Sequence, residues 1–103
     1  MNLIFDIMLE IRPCCEHCGK DLPNTATDAM ICSFECTYCE ECATTVFENV
    51  CPNCGGGFQK RPVRPQAYIE KYPPSEKKVF KPKDIESLQE HINKYREIPP
   101  EKR

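Results

Sequence analysis

The chain has 103 residues, 40% of them hydrophobic, with nine Cys, ten Pro, no Trp and a formal net charge of −2. That length accommodates one small domain with appendages and excludes two independent cores. Eight of the nine cysteines lie between Cys15 and Cys54, and a segment of about 40 residues needs disulfides, metal or a partner to stay folded, so cysteine chemistry must hold this one.

The choice between disulfides and metal depends on compartment. The apolar run in Met1–Glu10 has no basic residues before it and is interrupted by Asp6 and Glu10, which is not the pattern of a signal peptide. No stretch approaches the roughly 18 apolar residues of a membrane span. A soluble cytoplasmic protein without membrane contact is therefore expected, where thiols stay reduced and clustered cysteines bind metal.

Charge divides the chain. Residues 1–57 carry Arg12 and Lys20 against nine acidic side chains, a formal −7, and residues 58–103 carry twelve basic against seven acidic, a formal +5. Two four-thiolate zinc sites would each add a dianion to the first half. The basic tail then has two readings: it folds back on the acidic module, or it meets an acidic partner, nucleic acid included.

In chain order, residues 1–13 read as an N-terminal strand, with Leu3, Phe5, Ile7, Leu9 and Ile11 at alternate positions and Pro13 closing it. Residues 14–57 form the cysteine module: a polar loop over Lys20–Asp28, a short strand within Ala29–Phe34, and a helix after Cys42 on which Ala43, Val46, Phe47 and Val50 recur at helical spacing. Residues 58–83 are a Pro-rich basic arm in which Arg61-Pro62, Arg64-Pro65 and Tyr72-Pro73-Pro74 exclude a helix or a central strand. Residues 84–103 are an amphipathic helix and tail; the helical pattern begins at about Pro82, at the end of the arm, and runs to Ile98, with Ile85, Leu88, Ile92 and Tyr95 on one stripe and Pro99-Pro100 as its stop. That stripe packs on the chain's own module or on a partner.

The cysteines form four pairs: Cys15 and Cys18, Cys32 and Cys36, Cys39 and Cys42, Cys51 and Cys54. Two intervening residues, as in three of these pairs, let the backbone turn in a knuckle that aims both sulfurs at one tetrahedral ion. Gly19 and Gly55 follow two of the knuckles directly, where a residue without Cβ takes the positive φ that points N–H groups at thiolates. Four pairs mean two four-cysteine sites and two structural Zn²⁺ ions. Iron is the rival metal for such ligands, and catalytic zinc is disfavoured because four thiolates leave no open position. The pairs can be matched sequentially or cross-braced. The preferred scheme joins Cys15, Cys18, Cys39 and Cys42, then Cys32, Cys36, Cys51 and Cys54, because interleaving closes long loops and ties the whole segment together.

This ligand order resembles the RING-finger family, with two residues inside the first, third and last pairs and a helix between the sixth and seventh ligands. The resemblance implies a RING-like cross-braced treble-clef module, built from a short β-hairpin and one helix, and partner binding like that of ubiquitin ligases. The chain departs from that pattern at Cys36, where many members have His, at the three-residue spacer before it, at Glu16 and His17, where recruiting members carry an apolar residue, and at Gly55. Only Pro52 matches the recruiting surface. A second resemblance covers residues 8–65. The segments Met8–Pro13, Cys18–Pro23, Ile31–Cys39 and Cys51–Gly56, extending to Arg64-Pro65, are similar to those of a family of short bacterial cysteine-rich proteins of unknown function, which implies metal binding and no assigned activity.

The remaining chemistry is sparse. Cys14 reads as a spare thiol beside a ligand, His17 as a surface residue of the first knuckle, and His91 as a solvated residue on the polar side of the last helix. Glu40 and Glu41 have no shared substrate to act on, and no phosphate loop or nucleophile–base set is present. The expectation is a structural zinc protein without catalysis of its own, a small interaction or adaptor module whose partner is another protein. The alternatives are a ligase-like RING and a nucleic-acid binder using Lys60–Lys83.

Overall fold

The computed structural model describes residues 8–103. The N-terminal strand expected over residues 1–13 lies largely outside the described residues, and its described end, Met8–Arg12, is irregular chain.

The sheet is built around a hairpin. Strand β1 (Ala29–Ile31) pairs antiparallel with β2 (Thr37–Cys39), Ile31 opposite Thr37. Cys32 and Cys36 continue the pairing, since the Cys32 N–H donates to Cys36 O at 3.2 Å, and Ser33–Glu35 form a three-residue loop. The Glu35 N–H donates to Cys32 O at 3.0 Å and Glu35 takes φ +66°. A turn followed by one left-handed residue is the usual three-residue hairpin loop, and it explains why this cysteine pair has three residues between its members. A third strand, β3 (Gln59–Lys60), adds to the other side of β1, giving the order β2-β1-β3.

After β2 the chain makes a single wide turn of π-helix over Cys42–Val46. The Phe47 N–H donates to Cys42 O at 2.9 Å and the Asn49 N–H to Ala43 O at 2.8 Å, and Glu48 and Asn49 both adopt positive φ, +51° and +62°. The longer helix expected from the apolar spacing is thus cut short. Two consecutive left-handed residues reverse the chain to deliver Cys51, while Phe47 and Val50 stay buried as their spacing implied.

Tyr38, Phe47 and Phe58 form the aromatic heart of the core, packed edge to face with ring centroids 5.0 and 5.5 Å apart. The same core includes most of the cysteines, with Leu22, Ala29, Met30, Ala43 and Ile92.

The arm starts as β3 and contains a one-turn helix, α1 (Gln66–Ile69), which the prolines had argued against; Pro65 precedes its first turn, where a missing N–H does no harm. It is tied to the module throughout. Arg61 is buried, and its guanidinium donates to three carbonyls, Arg12 O at 2.8 Å, Leu22 O at 2.9 Å and Pro23 O at 2.8 Å. Arg64 donates to Tyr72 O and Leu9 O at 2.8 and 2.7 Å, and its backbone exchanges two hydrogen bonds with the Asn24 amide. These two arginines therefore serve as internal pins.

The last helix, α2 (Ile85–Tyr95), starts later than expected because Asp84, whose carboxylate accepts from the Glu86 N–H, is its N-cap. Ile92 is buried in the core, with Ile85 and Leu88 packed against it. Of the two readings of this stripe, the structure shows the one in which it packs on its own module. No helix among the described residues is long and apolar enough to cross a membrane.

Candidate metal centre

The first knuckle is built by a backbone clasp. The Cys15 N–H donates to Lys20 O at 2.8 Å, the Gly19 N–H donates back to Cys15 O at 3.0 Å, and Gly19 takes φ +80°. The last knuckle repeats it: Cys51 N–H to Gly56 O at 2.8 Å, Gly55 N–H to Cys51 O at 2.8 Å, Gly55 at φ +81°. The positive φ read from the two glycines is present at both. In the first clasp the Cys18 N–H also points at Cys15 Sγ, 3.5 Å away.

Two groups of sulfur result. Cys15 and Cys18 of the first knuckle meet Cys39, the last residue of β2, and Cys42, the first of the π-turn, all four sulfurs within 4.8 Å of one another. Cys18 Sγ and Cys39 Sγ are 3.8 Å apart, and a tetrahedron with metal–sulfur bonds of about 2.3 Å has edges of about 3.8 Å. Cys32 and Cys36, flanking the hairpin loop, meet Cys51 in a second group on the same distance criterion. The first knuckle has thus joined the third pair and the hairpin pair has joined the last knuckle. Cys54 does not enter the second group as the eight-ligand scheme expected: its sulfur accepts from the Gly56 N–H at 3.4 Å, half-exposed at the edge of the core.

The thiols of each group compete for negative charge. Burial works to raise the Cys15 thiol, but N–H groups of Cys18, Cys39 and His17 bring it below its ordinary value. Burial raises Cys39 and, more strongly, Cys42. In the second group, hydrogen bonds from the Cys32 and Cys51 thiols hold Cys36 down at about 2. Cys32, donating to Cys36, rises to about 11, and Cys51, donating to both, rises further. Without a cation the second group holds a favoured thiolate at Cys36 beside thiols raised at Cys32 and Cys51. A divalent ion is what allows all of them to ionise together.

Several residues around the groups carried no signal in the spacing. The Asn53 amide, inside the last knuckle, donates to Cys36 Sγ at 3.3 Å and to Tyr38 OH at 3.4 Å. Glu16 is buried: its carboxylate takes the Thr37 N–H and pairs with Arg12 at 2.8 Å, fastening the first knuckle to β2. His17 is half-buried, its ring on Phe47 and its Nδ1 accepting from the Lys83 N–H at 2.9 Å, so it is a packing residue and not a surface one. His91 is likewise not free in solvent, because a ring nitrogen lies 2.9 Å from Cys51 O. Cys14 is buried with its sulfur 3.9 Å from Val79 O, and burial pushes its thiol up. Glu40 and Glu41 are exposed, Glu40 pairing with Lys60 at 3.4 Å. Aromatic rings crowd this region, with Phe47 against both His17 and Tyr38 and Phe58 against Tyr38.

Comparison with known proteins matches residues 8–64 to the family described as "Protein of unknown function (DUF1272)". An uncharacterized protein of Rhizobium meliloti (strain 1021) is 55% identical over 75 residues, 73% of this chain and 89% of the relative. No solved structure matches. The family match ends at Arg64, so α1, α2 and the chain between them lie beyond it.

Proposed function

Because this chain belongs to the DUF1272 family, whose function is unknown, its role has to be argued from the site, and we propose a structural zinc protein of the cytoplasm that acts as a small interaction or adaptor module and carries out no catalysis of its own. The observation that carries the reading is the set of four sulfurs from Cys15, Cys18, Cys39 and Cys42, gathered from distant parts of the chain within 4.8 Å. Four thiolates around one ion form a closed shell, suited to holding a fold and not to activating water. The second ion takes Cys32, Cys36 and Cys51, and Cys54 completes its tetrahedron by rotation of a half-exposed side chain. With both ions in place the module is cross-braced in the RING-like, treble-clef manner.

Two features support protein binding over the alternatives. Of the loop residues a ligase-like RING would present, Glu16 and Pro52 are buried and His17 half-buried, which leaves Asn53 as the exposed one. The two arginines of the arm that a nucleic acid would seek are engaged with backbone carbonyls. The hairpin tip, by contrast, presents Phe34 with 72% of its surface exposed. All nine cysteines are free thiols, which fits a reducing cytoplasm.

The test is metal analysis of the purified chain by elemental mass spectrometry, followed by circular dichroism during chelation. Two zinc ions per chain are expected, falling to one in Cys39→Ser, with loss of the folded spectrum as metal is withdrawn. Iron–sulfur absorbance in the purified protein, or a spectrum unchanged after complete metal removal, would sink the proposal.

A further inference from the structure

We propose that Cys18 is a modification site for hydroperoxides, at which oxidation forms a Cys18–Cys39 disulfide and empties the first metal site while the second stays closed. The inference rests on the zinc reading above and adds a chemistry to one of its two sites.

The two sulfur groups differ in access. Cys18 is exposed, whereas the other eight cysteines are buried apart from the half-exposed Cys54. The second group is sealed: Cys32, Cys36 and Cys51 are 3%, 9% and 0% exposed. Over it lie α2, through His91 on Cys51 O, and the chain end, where Arg103 donates to Asn49 O and Gly55 O at 2.7 and 3.1 Å. The Asn53 amide also occupies a lone pair of Cys36, which lowers its nucleophilicity. The first group has Lys81 and Lys83 beside its knuckle, but their N–H groups bond Glu16 O and His17 Nδ1 and leave Cys18 uncovered.

Access alone would make Cys18 only a reactive thiol. What completes the site is a second sulfur at 3.8 Å, that of Cys39. The Cys18 thiolate attacks the terminal oxygen of the hydroperoxide, the O–O bond breaks, and the alkoxide leaves and takes a proton; Cys18 becomes a sulfenic acid. The Cys39 thiolate then attacks that sulfur, forming S–S and expelling hydroxide, which leaves as water after taking a proton. Two sulfurs have supplied two electrons and the peroxide has become an alcohol, or water in the case of hydrogen peroxide. Two thiolates of four are lost to the ion, and Cys15 and Cys42 no longer hold it. Cys54, the corresponding residue of the last knuckle, is less exposed than Cys18, and the three sulfurs it would join are buried.

The experiment treats the zinc-loaded full chain with one equivalent of hydrogen peroxide, follows zinc release with a chromophoric chelator and maps thiols by peptide mass spectrometry. The expected result is release of one zinc of the two, a Cys18–Cys39 disulfide, modification of Cys18 at least about tenfold faster than any other cysteine, and reversal by dithiothreitol. Cys14→Ser, at the thiol outside the proposed ligand set, is expected to keep the response. First oxidation at Cys14 or Cys54, simultaneous loss of both ions, or no disulfide under excess peroxide overturns the proposal. Absence of zinc before oxidant is added overturns the metal reading instead, and the same mapping on that chain still shows whether Cys18 pairs with Cys39.

Discussion

The first and last knuckles are the same piece of backbone placed in two environments. Each has a cysteine, two intervening residues, a second cysteine and a glycine at φ near +80°, and each closes with the same pair of hydrogen bonds. Around the first lies a strip of extended chain, with the exposed ring of Phe80 leaning on Gly19. Against the last lie α2 and the C-terminal turn, with Tyr95 on Gly55 and Pro100 on Gly57. Local sequence makes the knuckle, but tertiary cover decides how open it is, and in this chain the cover comes from residues beyond the family match.

The largest effect should come from breaking the two metal groups in turn. Cys51→Ser removes a buried proposed ligand at the centre of the sealed group, and on the zinc reading cooperative thermal unfolding is expected to disappear, since structural zinc contributes on the order of 10 kcal/mol in small domains. Cys18→Ser removes an exposed proposed ligand and is expected to leave a folded chain that keeps the second ion and binds the first much more weakly. Paired melting curves and zinc stoichiometry decide it, and equal damage from both would erase the proposed difference between the sites.

Arg61 comes next because it joins the two halves. Its guanidinium satisfies three carbonyls in a site where burial works against its own charge. Arg61→Ala leaves those acceptors without a donor, at about 1 kcal/mol or more each, and should lower the stability of the zinc-loaded protein by about 3 kcal/mol. Arg61→Lys should recover less than half of that, because one ammonium cannot span the fork. Chemical denaturation measures both, and full recovery by lysine would show that charge alone, without the fork, does the work.

The glycines offer a finer comparison. A Cβ on Gly55 would lie 2.8 Å from the Tyr95 ring, and one on Gly19 would lie 3.3 Å from the exposed ring of Phe80. Both substitutions to alanine incur the left-handed penalty of about 1 kcal/mol. Gly55→Ala should add about as much again by displacing Tyr95 from its half-buried seat, while Gly19→Ala should not. A double-mutant cycle with Tyr95→Ala should show coupling at Gly55 and none at Gly19.

These comparisons also mark what could be read from residues alone. The cysteine pairs and the positive φ at Gly19 and Gly55 were legible because spacing and glycine report local backbone geometry; the interleaved order, preferred for the long loops it closes, is followed by the two sulfur groups, whereas the place of Cys54 outside them was not legible. The apolar stripe of α2 was legible as a stripe, but the face it covers is a tertiary fact. The π-turn was not legible, since Val46, Phe47 and Val50 fit a longer helix equally well and the left-handed Glu48 and Asn49 carry no Gly to announce them. Nor could the inward role of Arg61 and Arg64 be read: a basic side chain between prolines looks the same whether it faces water or a row of carbonyls. The half-buried His17 and His91 were misread for the same reason, and nothing in the spacing marks Glu16 as buried.

The smallest predicted effect falls on the second knuckle, which has no glycine. Its three-residue loop needs one left-handed residue before Cys36, and that residue is Glu35 at φ +66°. A side chain there meets the steric penalty that glycine escapes, so Glu35→Gly should stabilise the hairpin. Part of the gain is offset because glycine loses more freedom on folding, leaving an increase of about 0.5 kcal/mol. Among the described residues Glu35 bonds through its backbone, its N–H to Cys32 O and its carbonyl to Thr37 Oγ1, each at 3.0 Å, and the substitution keeps both bonds. A raised denaturation midpoint with unchanged zinc content would show that this knuckle obeys the same backbone rule as the other two. A lowered midpoint would mean that the Glu35 side chain contributes more to the loop than its conformation costs.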